Sequence, residues 1–278
     1  MTSAPLDHGG LLFRLRAVLL VLLLTAVVIP WCAVVLAYWV TPQPRRYQVA
    51  AMWTRFAMRA ARVLCGVTWQ VKGWDNLPAG PAILLPKHQS TWETFWLPSF
   101  MPRRLSFVYK RELHLIPFFG WGMATLGMIN IDRSRGQDAF HQVVRQGAEH
   151  LKDGWWIVVF PEGTRTAPGS LTRYKTGGAR LAVETGTPVV PIAVNSGECW
   201  PRGVLIQRPG RITVSIGRPI PVAGRSAEAV MADVESWIET EMRALAPHRY
   251  AGPYEPKSAA RNGAICSAEQ DRQPRRHG

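Results

Sequence analysis

The sequence is poor in cysteine and in acidic residues, and it lacks the common nucleic-acid-binding motifs. Its 4 Cys are scattered, with no C-x-x-C pair and no Cys/His spacing of a zinc site, so neither a disulfide framework nor a metal centre is indicated. Only 19 Asp and Glu oppose 33 Lys and Arg, giving a formal net charge of +14. Nucleic acid or an anionic membrane surface would suit that charge. Because no helix-turn-helix, RNP or zinc-finger pattern is present, the membrane is favoured.

Charge is absent altogether from residues 17–40, a run of 24 residues. At ~1.5 Å per residue, a helix of that length exceeds the ~30 Å hydrocarbon core of a bilayer. A signal peptide is the competing interpretation, but the run is long and no small-x-small cleavage site follows it. We therefore predict a retained anchor, in which Pro30 either kinks a membrane span or splits it into a re-entrant hairpin.

The segment that follows, residues 47–64, has the periodicity of an amphipathic helix. Its apolar stripe consists of Trp53, Phe56, Ala60, Val63 and Leu64, and its basic face of Arg55, Arg59 and Arg62. Such a helix lies in the membrane interface or packs on the domain as an ordinary surface helix, and its place after the anchor favours the interface. More Arg follows the anchor than precedes it, which predicts a main domain on the cytoplasmic side of a bacterial-type inner membrane.

Strand and helix patterns alternate through residues 67–247, which predicts an α/β fold with a mostly parallel sheet flanked by helices. The predicted strands are residues 67–73, 82–85, 105–109, 128–131, 155–160, 189–194 and 211–216, and the predicted helices are 139–151, 178–185 and 226–245. Residues 1–66 would be the membrane anchor and residues 67–247 the main domain. Residues 248–278, rich in Arg, Pro, Gln and Gly, are predicted to be a disordered basic tail.

His88 follows the apolar run 82–85, and Glu93 lies five residues later. Ser90 is a candidate N-cap, so Glu93 would stand in the first helical turn and could point back toward the imidazole. A carboxylate that orients a His and stabilises its charged form creates a general base for an alcohol. Taken alone, the pair is more often solvated or structural, and the remaining motifs must decide.

Three further blocks lie at predicted strand ends, where α/β folds place their sites. Residues 127–133 (G-M-I-N-I-D-R) end on Arg133, and residues 160–165 (F-P-E-G-T-R) would place Arg165 beside Glu162. A guanidinium oriented in this way can bind a phosphate, although a lone Arg is usually a solvated charge. In the third block, residues 189–194, Pro191 predicts an edge strand or bulge, or simply a strand boundary.

These blocks, in this order, resemble those of the glycerolipid acyltransferases that convert lysophosphatidic acid to phosphatidic acid. That family carries N-H-x-x-x-x-D, G-x-I-x-I-D-R, F-P-E-G-T-R and a V-P-I strand. This sequence has K-H-Q-S-T-W-E, G-M-I-N-I-D-R, F-P-E-G-T-R and V-V-P-I-A-V, and residues 109–120 resemble the segment before the second block. The resemblance covers about residues 67–220. Two departures are Glu93 for the usual Asp and Lys87 for the common Asn.

The resemblance implies an α/β acyltransferase domain and a role for each matching residue. His88 would be the general base and Glu93 its orienting acid. The residues implied to bind the substrate are Lys110, Arg133, Glu162, Gly163, Thr164, Arg165 and Pro191, with Glu162 buttressing Arg165 and Pro191 lining the acyl site. The expected donor is acyl-CoA or an acyl carrier protein thioester, and no metal or bound cofactor is implied.

Two alternatives stay open from sequence. One is an acyltransferase of the same fold that acts on another lysolipid, such as a lyso-ornithine lipid. The other is a membrane protein that binds lipid without catalysis, which the intact His88/Glu93 pair disfavours. Membrane lipids, a lysophospholipid and an acyl thioester are the expected partners, and nucleic acid is not.

Overall fold

A central sheet with helices on both faces is the main feature of the computed structural model, which describes residues 10–116, 119–132, 136–203 and 205–255. Within those ranges the strands are β1 (Val67–Lys72), β2 (Ile83–Pro86), β3 (Leu105–Lys110), β4 (Ile129–Ile131), β5 (Trp156–Val158), β6 (Val189–Val194) and β7 (Gly210–Ile216). The helices are α1 (Leu11–Ala37), α2 (Gln43–Cys65), α3 (Trp92–Phe100), α4 (Phe119–Thr125), α5 (Gly136–Lys152), α6 (Gly177–Thr185) and α7 (Ala227–Leu245).

The strand order across the sheet is β1-β7-β6-β2-β5-β3-β4. All neighbouring pairs are parallel except β6 and β7, which confirms the predicted α/β fold and mostly parallel sheet. Strands β2 to β6 run in the same direction, so their carboxyl ends meet at one edge of the sheet. The predicted helices on residues 139–151, 178–185 and 226–245 are present as α5, α6 and α7. Ser226 caps α7 by accepting the Ala229 N–H at 3.2 Å.

The position of β6 corrects the interpretation of Pro191. This strand is internal, between β7 and β2, and neither an edge nor a boundary strand. The register between β6 and β7 ends at Ile192 and Ile216, so Pro191 lies one residue beyond it, where the loss of a proline N–H is tolerated. The Pro191 carbonyl accepts the N–H of Gly217, the residue after β7, at 2.9 Å.

The apolar N-terminal run forms α1, which is long and apolar enough to cross a membrane as the segment Leu11–Val40. The helix continues through Pro30, so the predicted split into a hairpin at that residue is wrong. The chain reverses later, at the short 3₁₀ turn Tyr38–Val40, and α2 returns against α1. Side chains along α1 such as Leu12, Leu19 and Leu22 are more than half exposed, as expected of a surface that contacts lipid.

Helix α2 buries only part of the predicted stripe: Ala60 is buried and Trp53 and Leu64 are half-buried. Tyr47, Ala51, Met58, Ala61 and Cys65 face the protein interior. Phe56 and Val63, expected on the apolar stripe, lie 37% and 81% exposed. The helix therefore packs on the domain through mostly small residues, and its outer face mixes apolar and basic side chains.

The anchor and the sheet share one hydrophobic core, which contains Leu20 and Val35 of α1, Met58 of α2 and Leu84 and Val190 of the sheet. The predicted boundary at residue 66 coincides with the left-handed turn at Gly66 but does not separate two cores. Part of the predicted tail is also bound to the domain: Arg249 pairs with Glu198 at 2.6 Å. Disorder is therefore wrong for residues 248–255, and residues 256–278 lie outside the described ranges.

Candidate active site

His88 follows the carboxyl end of β2 at the shared edge of the sheet. Its side chain is 11% exposed. One face of the imidazole stacks on Phe160, with ring centroids 3.8 Å apart and planes 19° from parallel. Phe160 follows β5, the parallel neighbour of β2, which explains why the two rings meet. Lys87, the preceding residue, extends instead into the interior toward α7.

Glu93 stands in the first turn of α3, as predicted, and its carboxylate returns to the loop after His88. Ser90 accepts the Trp92 N–H at 3.0 Å, while Glu93 accepts the Ser90 N–H at 3.0 Å. This pair resembles a capping box, but the N-cap residue of α3 is Thr91 and not the predicted Ser90, and Ser90 binds the N–H two residues on instead of three. Glu93 also accepts the Gln89 N–H at 3.0 Å and the Ser196 hydroxyl. The carboxylate is buried and fixed by these donors before any substrate binds.

The His88 Nδ1 atom lies 3.7 Å from Oε2 of Glu93. That separation suits an ion pair but exceeds a hydrogen bond, and Nδ1 is buried with no hydrogen-bond partner among the described residues. Catalytic hydrogen bonds are often long before the substrate binds. Because Nδ1 faces the carboxylate, Nε2 is the ring nitrogen that can accept a proton from a substrate hydroxyl.

The loop after β5 corrects the predicted pairing of Glu162 with Arg165. Among the described residues Glu162 contacts Lys87 at 2.8 Å, the His88 N–H at 2.6 Å and the Thr166 hydroxyl at 2.7 Å, and forms no ion pair with Arg165. Glu162 therefore holds the backbone of His88 and does not orient Arg165. Gly163 has φ +69°, and a Cβ there would come within 2.7 Å of the Lys175 ammonium.

Two cavities meet at His88. The first, of about 490 Å³, lies against α5 and α6, and its polar lining includes Lys110, Thr164 and Lys175. The second, of about 640 Å³, is walled mainly by apolar side chains of α1 to α4, and Arg165 also borders it. Phe160, Val108, Tyr109 and Leu113 line both cavities. Both cavities have largely apolar walls, the first also carries Lys110 and Lys175 and the second Arg165, and the imidazole borders both.

The predicted substrate residues are distributed unevenly between these cavities. Lys110, Gly163 and Thr164 line the first, and Arg165 lines the second. Pro191 lines neither and packs near Gly217 and α7, so its position does not support the predicted place in the acyl site. Arg133 lies outside the described residues. The residue before it, Asp132, pairs with Arg111 at 3.2 Å.

Sequence reasoning missed four residues of this region. Ser196 directly follows the β6–Asn195 segment at the same sheet edge, and that strand-end position was the available signal. Phe160 was quoted only as part of its motif. Lys175 gave no signal, because its place over Gly163 depends on the return of the chain before α6. Glu239 was an acid next to the apolar face of α7 and is fully buried.

Known proteins are similar to this chain in both sequence and fold. An acyltransferase family model matches residues 68–195. The chain is 41% identical over 240 residues to the 1-acyl-sn-glycerol-3-phosphate acyltransferase of Pseudomonas aeruginosa, covering 84% of this chain and 92% of that one. It is 32% identical over 191 residues to the enzyme of the same name from Saccharomyces cerevisiae, covering 68% of this chain and 62% of that one.

A solved structure gives the same result. The crystal structure of the 1-acyl-sn-glycerophosphate (LPA) acyltransferase PlsC from Thermotoga maritima matches with a TM-score of 0.66 and 25% identity, covering 84% of this chain and 97% of that one. The buried His–Glu pair, the membrane-type helix and these similarities agree, and the protein belongs to the 1-acyl-sn-glycerol-3-phosphate acyltransferase family.

Proposed function

We propose that the protein transfers an acyl chain from an acyl thioester to the free sn-2 hydroxyl of lysophosphatidic acid, giving phosphatidic acid. The observation that carries this proposal is the position of His88, a base backed by Glu93, where a largely apolar cavity meets a second cavity that carries Lys110 and Lys175. The names of the relatives support the same acceptor. Acyl-CoA and an acyl carrier protein thioester both fit the scheme as donors.

In the proposed reaction, His88 Nε2 takes the proton of the acceptor hydroxyl while its oxygen attacks the thioester carbonyl carbon. Glu93 stabilises the imidazolium that forms. The tetrahedral intermediate then collapses, the C–S bond breaks, and the departing thiolate takes the proton back from His88. Atoms and charge balance without an acyl-enzyme, a metal or a bound cofactor.

The two cavities divide the substrates by polarity. The second cavity, formed largely by apolar side chains of α1, α2, α3 and α4, suits an acyl chain. In the first cavity Lys110 and Lys175 are exposed cations, which suits the phosphate of the acceptor. Arg165 borders the second cavity and not the first.

The membrane arrangement follows from the same polarity. We propose that α1 inserts its exposed apolar side chains into the bilayer and that the basic outer face of α2 contacts anionic head groups. Arg45 and Arg46 at the start of α2 favour a cytoplasmic location for the active site. A lipid acceptor would then reach His88 without leaving the membrane surface.

The test is acyl transfer by the full chain in vesicles, with labelled acyl-CoA or acyl carrier protein thioester and a panel of lysolipids. Wild-type protein is expected to give phosphatidic acid, and His88→Ala is expected to give none while it stays bound to the vesicles. His141→Ala, at an exposed position on α5, is the matched control and should retain activity. Transfer to a lyso-ornithine lipid in place of lysophosphatidic acid would change the acceptor, and full activity of His88→Ala would remove the base.

A further inference from the structure

Lys87 is a fully buried cation that the scheme above does not use. Its Nζ atom lies 2.8 Å from Glu162 Oε1 and 2.7 Å from Glu239 Oε1, and 3.5 Å from the Tyr174 hydroxyl. The side chains of Lys87, Glu162 and Glu239 are all 0% exposed. Lys87 and Glu239 line neither of the two cavities, so they do not touch the substrate space.

This cluster is nevertheless connected to His88 through hydrogen bonds of Glu162. The second oxygen of Glu162 accepts the His88 N–H at 2.6 Å. Thr166 donates its hydroxyl to Glu162 at 2.7 Å and its N–H to the His88 carbonyl at 2.8 Å. Both backbone polar groups of the catalytic His are therefore bound to the loop that carries Glu162, and Glu162 is in turn bound to Lys87.

Charge determines whether that arrangement holds. A buried carboxylate without a cation is costly and tends to become protonated. Burial raises the pKa of Glu162, and the Lys87 ammonium and the hydrogen bonds from Thr166 and His88 oppose that rise. Burial also disfavours charge on Lys87, but the two carboxylates outweigh it and raise the pKa of Lys87. The other titratable or charged groups around this cluster are Glu235, Glu239, Arg243, Tyr174, Tyr250 and the His88 ring.

We propose that Lys87 is a positioning residue for acyl transfer, which keeps the Glu162 carboxylate bound to the His88 N–H and thereby fixes the ring that receives the substrate proton. Glu239 fixes Lys87 from α7, so the C-terminal helix supports the catalytic His from behind. This inference rests on the proposed function, because it assigns Lys87 a part in the reaction at His88.

The test is the pH profile of kcat for Lys87→Met. Without the cation, Glu162 ionises only at higher pH, and the ionised form is the one that holds His88. The acidic limb of kcat is therefore expected to move to higher pH, with about a tenfold loss of kcat at neutral pH and KM for lysophosphatidic acid within about twofold. Lys87→Met/Glu162→Gln should lose the shifted limb, because Gln does not titrate.

Two further variants separate positioning from packing. Tyr174→Phe removes a hydroxyl bonded to Glu239 at 2.9 Å but no ion pair, so its acidic limb should match wild type. Lys87→Met/Glu239→Gln has one buried carboxylate fewer and is measured if Lys87→Met does not fold. A wild-type acidic limb in folded Lys87→Met (or in Lys87→Met/Glu239→Gln where Lys87→Met does not fold), or the same shift in Tyr174→Phe, overturns the proposal.

A second readout does not depend on the acceptor. Hydrogen exchange of the His88 amide should become about tenfold faster in Lys87→Met and in Lys87→Met/Glu239→Gln, because the Glu162 carboxylate that accepts its N–H is weakened as an acceptor. Unchanged exchange in the folded variant contradicts the role of Lys87 in holding Glu162 on the His88 N–H, whatever the activity. If the variant exchanges faster but the wild-type protein gives no phosphatidic acid, the positioning role of Lys87 stands and the proposed acceptor is refuted.

Discussion

Glu93 presents one carboxylate oxygen, Oε2, to Nδ1 of His88 at 3.7 Å, while Gln89 and Ser196 bind its other oxygen, Oε1. The acid is thus held by donors that do not take part in the proton transfer. Ser90 adds a third donor on the Oε2 side. The same carboxylate binds the N–H groups of Gln89 and Ser90, so the loop that leads into α3 and the orientation of the base depend on one side chain.

Charge at position 93 is expected to matter more than reach. Glu93→Gln should lower kcat by about 10²-fold or more. A neutral amide stabilises the imidazolium less than the Glu93 carboxylate does, and it cannot accept hydrogen bonds from all three surrounding donors as the carboxylate does. Glu93→Asp keeps the charge, is one methylene shorter and should retain more activity. Steady-state kinetics on folded protein decides, and equal kcat values for the two variants would contradict the orienting carboxylate.

The phosphate site can be located by comparing Lys175→Gln with Arg165→Ala. If the acceptor phosphate lies in the first cavity, Lys175→Gln should raise KM for lysophosphatidic acid about tenfold, since a charge-assisted hydrogen bond contributes roughly 1.5–3 kcal/mol. Arg165→Ala, from the other cavity, should raise it less. Lys152→Gln, exposed at the end of α5, serves as the control. The reverse order would move the phosphate to the Arg165 side.

Gly122 offers a test of the acyl cavity. It lines the second cavity from α4, and an added Cβ would meet no atom within 4 Å. Gly122→Leu is expected to shift the donor preference toward shorter acyl chains by occupying that space, whereas Gly122→Ala should change it little. Competition between acyl thioesters of different length measures the shift. An unaltered preference in folded Gly122→Leu would place the chain elsewhere.

Arg249 should stabilise the domain only above acidic pH. Burial alone would raise the pKa of Glu198, but Arg249 and His248 reverse this and hold that pKa below its usual range. A carboxyl whose pKa is depressed in the folded state stabilises the fold at pH values above its pKa in the unfolded chain, about 4.3 for Glu. That stabilisation is lost as the pH falls below about 4.3 and through the lower folded-state pKa. Arg249→Ala should therefore lower Tm at pH 7, with the difference shrinking below about pH 4. Thermal unfolding across pH measures it, and a constant difference would count against the ion pair.

Local patterns predicted the elements of this fold well, because strand and helix periodicity report directly which faces are buried. The His88/Glu93 geometry was also predictable, since Ser90, Glu93 and His88 are close in sequence. The interior position of β6 was not predictable, because a proline inside a strand usually indicates an edge. The end of the β7 register next to Pro191 is visible only in the folded structure. Likewise, the partner of Glu162 could not be identified. Glu162 accepts the His88 N–H from 74 residues away, and Lys87, which also binds Glu162, pairs with Glu239 from 152 residues away. Only the packed fold brings these groups together.

The larger cavity has consequences for how the protein can be divided. Thr25 and Val28 of α1 and Ala51 of α2 form part of its wall, and Met58 and Ala61 of α2 are buried against the rest of the protein. A fragment that starts at Val67 would lose one side of that cavity and expose the apolar surface beneath it. Removing α1 and α2 should therefore not yield a soluble enzyme. Detergent extraction of the intact chain is the appropriate route to an active preparation, and attachment to the membrane and completion of the substrate site are one structural property.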